Sequence, residues 1–313
     1  MIGNISTMKK GISAGVVSAI MWGADTVLMG IILAMTPFVE TEQAILLAPF
    51  ISAFLHDSFS VIWTFIYLVS KREIGKLFKA CKTKSALYVA LGALLGGPIG
   101  MTGYLLSIKY LGPSYTAAIS SMYPAVGAIL AGLLLKEKVN KKAWLGLLIS
   151  ISGIVVLGYS KGGTEASMLG FAFVALCVFG WGAECVVCAY GMKDNEVTPE
   201  HALQIRQFTS ALVYGAMIVP LMKGISLTME IVKTPVFLVI GFTALLGTIS
   251  YLCYYNAIHK LGATKAMGIN ITYFVWAIIL ETVFLGTQLS LKTIIFGSIV
   301  MIGSFIVAKE PTN

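Results

Sequence analysis

Only 12% of this chain's residues are charged, so an ionisable group inside an apolar run needs a reason to be there. Asp25, His56, Asp57, Glu184, Arg206 and Glu281 sit in such runs. A charge at membrane depth costs at least about 2.5 kcal/mol, so such groups pair with one another or line a solute path. Acids outnumber bases among them, which favours a cationic solute, protons, or both. Aromatic residues accompany the acids. Trp181 and Glu184 are three apart and share one helix face, as do Trp22 and Asp25. Tyr251, Tyr254 and Tyr255 form a second stripe, and Asn270, Tyr273 and Trp276 a third. A lone aromatic stripe on a membrane helix reads as packing or as an interfacial belt. These lie mid-run and beside carboxylates, which favours a cage. A quaternary ammonium ion has no N–H to donate, so π faces and net charge are what can recognise it.

His56 and Asp57 are adjacent and point about 100° apart on a helix, so both cannot face one ligand squarely. Asp57 is expected in the cavity, as cation partner or proton carrier, and His56 is a coupling candidate or a hydrogen-bonded structural histidine. Arg206 is expected to pair with a carboxylate. Asp25 and Glu281 are weaker site candidates. Gly92, Gly96 and Gly100 make a small-residue stripe that, with Pro98, reads as close helix contact and a kink. Cys185 and Cys188 form a CxxC inside an apolar run, without a second pair or a nearby histidine, and read as packing.

The elements that must position these groups are membrane helices. Of the 313 residues, 58% are hydrophobic and the mean hydropathy is +0.88, whereas soluble domains carry about 25% charge. Continuous apolar runs specify helices rather than barrel strands, which would alternate. Spans are expected at 11–35, 43–70, 86–109, 113–135, 142–159, 167–190, 200–222, 235–258, 263–285 and 291–308. Lys9-Lys10 before the first run resembles a signal peptide, but no small-residue cleavage site follows, so the run reads as the first span. The net charge of +8 is topology signal rather than a nucleic-acid surface. Lys71, Arg72, Lys76, Lys79, Lys82 and Lys84 crowd one loop, and Lys136, Lys138, Lys141 and Lys142 another on the same side. The opposite side carries scattered lysines such as Lys223, Lys233 and Lys292. That bias places both termini in the cytoplasm.

The chain also repeats itself. Trp22-Gly23-Ala24-Asp25 parallels Trp181-Gly182-Ala183-Glu184, Tyr104–Gly112 parallels Tyr254–Gly262, and Tyr123 parallels Tyr273. The expected fold is an all-α polytopic membrane protein of ten transmembrane helices in two inverted five-helix repeats, 1–160 and 161–313. Such repeats place a solute site near the midplane and suit alternating access. No Walker motif, metal-ligand cluster or catalytic triad is visible in the sequence, so no ATP, metal, cofactor or enzymatic role is expected. A membrane receptor or assembly subunit that binds without transporting is the reading from a different class.

Taken together, the duplicated Trp-Gly first helices and five-helix halves resemble the EamA type of the drug/metabolite transporter superfamily over nearly the whole chain. Within it, several stretches resemble the bacterial choline uptake permeases of the lic type. They include His56-Asp57, Gly97-Pro98-Ile99-Gly100-Met101, Ser121-Met122-Tyr123-Pro124-Ala125, Gly180–Glu184, Ile205-Arg206-Gln207, Ser250–Tyr255 and Tyr273–Trp276. Asp25 departs from that pattern, in which a neutral residue is expected. The resemblance implies a proton-coupled importer of choline or a related quaternary amine, in the inner membrane of a bacterium. It implies an aromatic box of Trp22, Trp181 and one or more of Tyr251, Tyr255, Tyr273 and Trp276, with Glu184 and Asp57 as the acidic members. An exporter of amino acids, drugs or other small metabolites is the alternative within the same superfamily.

Overall fold

The computed structural model describes residues 5–111, 116, 119–120, 122–158, 168–286, 288 and 291–309. Gly112, Ser121, Lys161 and the expected boundary between halves at 160/161 lie outside them. Among the described residues every regular element is helical. The first half contains α1 (Ile5–Leu33), α2 (Glu42–Ser70), the short α3 (Ile74–Ala80), α4 (Lys84–Leu94), α5 (Thr102–Leu111), α6 (Tyr123–Leu134) and α7 (Lys141–Gly158). The rest contains α8 (Met168–Gly191), α9 (Pro199–Val213), α10 (Ile225–Ile231), α11 (Pro235–Leu261), α12 (Ala263–Asn270), α13 (Tyr273–Leu285) and α14 (Leu291–Lys309). Among the described residues, six stretches are long and apolar enough to cross a membrane: Ser6–Leu33, Glu42–Ser70, Lys84–Ser107, Met168–Gly191, Pro235–Leu261 and Ala263–Leu285. Helix also occupies the described parts of 113–135, 142–159, 200–222 and 291–308, in shorter pieces.

Local chemistry sets where these helices begin and end. Thr41, Thr83 and Thr198 cap α2, α4 and α9 by accepting the backbone N–H of Ala44, Ala86 and His201. Pro199 and Pro235 occupy first-turn positions, where a missing N–H is harmless. Gly262 ends α11 with φ +85°, and Gly286 ends α13 with φ +67°. Leu87, Leu133, Leu238 and Phe284 are at least 70% exposed. Side chains of that size so fully presented call for lipid rather than water.

The helices pair across the two halves. α1 packs on α11 and α13 of the second half, and α8 packs on α4, α5 and α6 of the first. α2 pairs with α9, and α7 with α14. The glycine stripe makes one of these contacts possible. α4 runs into a π-helical segment, Leu95–Met101, that contains Pro98. A Cβ on Gly92 would stand 2.6 Å from Cys188 Sγ, and one on Gly100 would stand 2.9 Å from Trp181 Cδ1. Pro98, which has no N–H for the helix ladder, falls within this wide-turn stretch.

The expected stripe of Asn270, Tyr273 and Trp276 crosses a turn at Ile271-Thr272, where α12 ends and α13 begins. Both turn residues keep right-handed helical backbone angles, and all three side chains meet α1: Asn270 at Ser18, Tyr273 at Trp22 and Trp276 at Gly23.

Candidate functional site

A cavity of about 50 Å³ opens where α1, α8, α9 and α11 converge with the π segment. One water needs roughly 10–15 Å³ by the same measure, so this space holds a handful of waters or one compact organic ion. α1 contributes Ser18 and Trp22, and α8 contributes Trp181, Glu184 and Cys185. α11 contributes Ser250, Tyr251, Tyr254 and Tyr255, while Tyr123, Arg206 and Asn270 complete the polar and aromatic wall.

The aromatic rings brace one another. Trp22 stacks on Tyr273 with centroids 4.3 Å apart and planes 16° apart, and it meets Tyr251 at 6.5 Å. Trp181 lies 5.2 Å from Tyr104 and meets Tyr123 edge-on at 6.0 Å and 88°. Tyr255 stands edge-on to both Tyr251 and Tyr254. Several π faces therefore border one space, with their orientations fixed by neighbouring rings. At another wall, Asn270 Nδ2 donates to Ser18 Oγ at 3.0 Å and Tyr123 Oη donates to Asn270 Oδ1 at 3.3 Å.

Arg206 organises the charged side. Its Nε donates to Glu184 Oε1 at 2.8 Å. NH1 donates to Gln207 Oε1 at 2.7 Å and lies 3.5 Å from Asp57 Oδ1. NH2 donates to the Tyr251 hydroxyl at 3.1 Å, and the guanidinium carbon sits 4.6 Å from the Tyr251 ring centroid. The expected pairing of Arg206 with a carboxylate is present, and it engages two. Gly96 makes room for this arrangement, because a Cβ there would run into the Glu184 carboxyl group.

Of the residues expected to bind the solute, Trp22, Trp181, Glu184, Tyr251 and Tyr255 line this cavity. Tyr273 borders a second, smaller cavity with Ser120, Tyr123 and Trp181. Asp57 and His56 lie behind the wall rather than in it. Trp276 packs against Gly23 on α1, where a Cβ would stand 2.9 Å from the Trp276 Cβ. Its Nε1–H has no partner among the described residues. Asp25, a weaker candidate from sequence, contacts His56 Nε2 at 2.9 Å. Glu281 is exposed near the end of α13. Cys185 and Cys188 are free buried thiols, and Cys188 Sγ accepts from Tyr255 Oη at 3.4 Å. Sequence reasoning missed Ser18 and Ser250. Ser18 did leave a signal, since it precedes Trp22 by four and shares its face.

The model of the EamA-like transporter family matches this chain twice, over residues 9–159 and 168–309. Protein LicB of Haemophilus influenzae is 37% identical over 190 residues, which is 60% of this chain and 64% of that protein's length. An uncharacterized transporter of Bacillus subtilis, YyaM, is 26% identical over 272 residues, covering 82% of this chain and 86% of its own. One solved crystal structure superposes on 95% of this chain and 96% of its own with a TM-score of 0.69, at 14% identity. That last likeness concerns the fold alone.

Proposed function

We propose that this chain, which belongs to the EamA-like transporter family and is therefore a transporter and not an enzyme, imports a quaternary ammonium cation, choline or a close methylated relative, coupled to protons. The observation that carries the reading is the cavity itself. Trp22, Trp181, Tyr251, Tyr254 and Tyr255 surround a space that also holds the Glu184 carboxylate. A methylated ammonium gains from every π face it touches and from one nearby negative charge, and it asks for no hydrogen-bond acceptor. The stretches that resemble the choline permeases support choline among such cations.

The architecture proposed with it is ten crossings in two inverted five-helix halves, in a bacterial inner membrane with both termini cytoplasmic. The doubled family match supports the two halves. So does the exchanged packing, in which α1 sits among helices of the second half and α8 among helices of the first. The lysine-rich loops support the orientation.

Arg206 in the cavity wall favours a second reading, export of a zwitterion such as an amino acid, whose carboxylate would meet the guanidinium. That guanidinium is already engaged by Glu184, Asp57, Gln207 and Tyr251, which leaves little for a substrate anion. Equilibrium binding of radiolabelled choline to purified protein separates the two. Choline is expected to bind and to be displaced by other methylated ammonium ions but not by amino acids. No choline binding, together with saturable binding of a radiolabelled aromatic amino acid to the same protein, would establish the second reading instead.

A further inference from the structure

The acidic groups of the membrane interior do not all face the cavity. Behind its wall His56 on α2 lies between two carboxylates. Its Nε2 is 2.9 Å from Asp25 Oδ1 on α1, and its Nδ1 is 3.7 Å from Asp57 Oδ1. Asp57 Oδ1 is in turn 3.5 Å from Arg206 NH1 on α9, and Arg206 Nε holds Glu184 on α8. The row Asp25, His56, Asp57, Arg206, Glu184 thus joins four helices, and only its last two members touch the cavity. Asp25, His56, Asp57 and Arg206 are each no more than 9% exposed.

α11 makes room for the far end of the row. A Cβ on Gly247 would stand 2.6 Å from His56 Nε2 and 3.1 Å from Asp25 Oδ1. Other proton-bearing groups around His56 and its partners include Ser210 on α9, beside Asp57. Tyr251 on α11 accepts from Arg206, and Tyr214, at the start of the π-helical segment after α9, donates to the Gly97 carbonyl oxygen.

Two physical arguments then converge. A neutral imidazole has one N–H and one lone pair, so between two carboxylates one of its nitrogens presents a lone pair to negative charge. Only the imidazolium presents N–H to both. Charge counting gives the same answer. The row holds three carboxylates and one guanidinium, which leaves two negative charges uncompensated around a neutral His56. A buried charge without a partner costs several kcal/mol. One proton on the imidazole cancels one of the two, and one substrate cation beside Glu184 cancels the other.

We propose that Asp25, His56 and Asp57 form a proton-binding site behind the substrate cavity, separate from it and linked to it through Arg206. The proposal rests on the cavity being a cation site. It assigns a role to Asp25, which does not line the cavity. The proton binds at the imidazole, forming the N–H that faces Asp57 or Asp25, and it leaves from the same nitrogen after the transport step. The state that carries one proton and one cation is the only neutral one, so it encloses a dry cavity at the lowest cost.

The first measurement uses no substrate. The chain has three histidines, so labelled-histidine NMR of the H201Q/H259Q variant observes His56 alone. The expected result at neutral pH is an imidazolium signal, converted to neutral imidazole in the same background by Asp25→Asn. A neutral signal in the Asp25-containing protein would overturn the proposal. The second measurement is transport in proteoliposomes. Asp25→Asn and His56→Gln are expected to bind choline within about threefold of wild type and to exchange it across the membrane, while losing gradient-driven accumulation. Asp25→Glu is expected to restore accumulation. Accumulation that survives in both Asp25→Asn and His56→Gln would also overturn it. An imidazolium at His56 in a protein that binds no choline would leave the proton site standing and remove the choline reading of the cavity.

Discussion

Trp181 and Glu184 show what a single turn of helix contributes to this site. Their spacing puts an indole face and a carboxylate on one cavity wall, and both were legible as soon as the two residues were seen three apart. A cation–π contact is worth about 2 kcal/mol when desolvated, so Trp181→Ala is expected to weaken choline binding roughly thirtyfold. Trp181→Phe should recover part of it, and scintillation-proximity binding reads both. Equal affinity in Trp181→Ala and wild type would remove the indole from the cage. Arg206 was legible only in part. A lone intramembrane arginine announces a carboxylate partner, but nothing in the sequence says which one. The guanidinium is planar and forked, and here it serves Glu184, Asp57, Gln207 and Tyr251 together. Arg206→Lys keeps the charge and loses the fork. It is expected to leave a folded protein that binds choline at least tenfold more weakly, checked by binding alongside size-exclusion chromatography. Unchanged affinity would show that charge alone matters at this position.

At the scale of elements, the site depends on how closely α8 can approach the π segment. The glycine stripe and Pro98 made that contact legible, because small residues at spacing four have few other uses in a membrane helix. Gly96→Ala tests it most sharply. Its methyl group would collide with Glu184 and push the carboxylate off Arg206. Overpacking of this kind costs about 1–3 kcal/mol, so a folded protein with weakened choline binding is expected, while Gly30→Ala, at an open position, should change neither stability nor binding. Glu137 marks a second element-scale contact. It lies between α6 and α7, and its carboxylate accepts the backbone N–H groups of Ala263 and Thr264 and the Thr264 hydroxyl at the start of α12. A residue of the first half thus caps a helix of the second. Glu137→Ala is expected to cost about 1 kcal/mol, seen as a lower unfolding midpoint in detergent. An unchanged midpoint would show that water replaces the cap at no loss. The break between α12 and α13 was not legible. The stretch from Ala263 to Leu285 holds no proline, and its apolar pattern continues through Ile271-Thr272, so it reads as one helix.

For the whole molecule, composition and hydropathy alone make the all-helical membrane fold legible, because a chain this poor in charge has no other way to satisfy its surface. The proposed repeat starts from the likeness of Trp22 to Trp181 and of Tyr104 to Tyr254 in sequence. Which helices meet was not legible. That α1 settles among α11 and α13, and α8 among α4, α5 and α6, depends on contacts between residues far apart in the chain, which periodicity cannot report. The exchange has a functional consequence under the proposed reading. Each half inserts its tryptophan-bearing helix into the other, so Trp22 and Trp181 reach one cavity from opposite halves, and relative rocking of the halves would change access to the space between them. The central claim, a carrier that concentrates a methylated ammonium ion at the expense of a proton gradient, is tested most directly by uptake of labelled choline into proteoliposomes with and without an inward proton gradient. The account predicts accumulation above the outside concentration only when the gradient is present. No uptake in either condition, by protein shown to be folded, would contradict it.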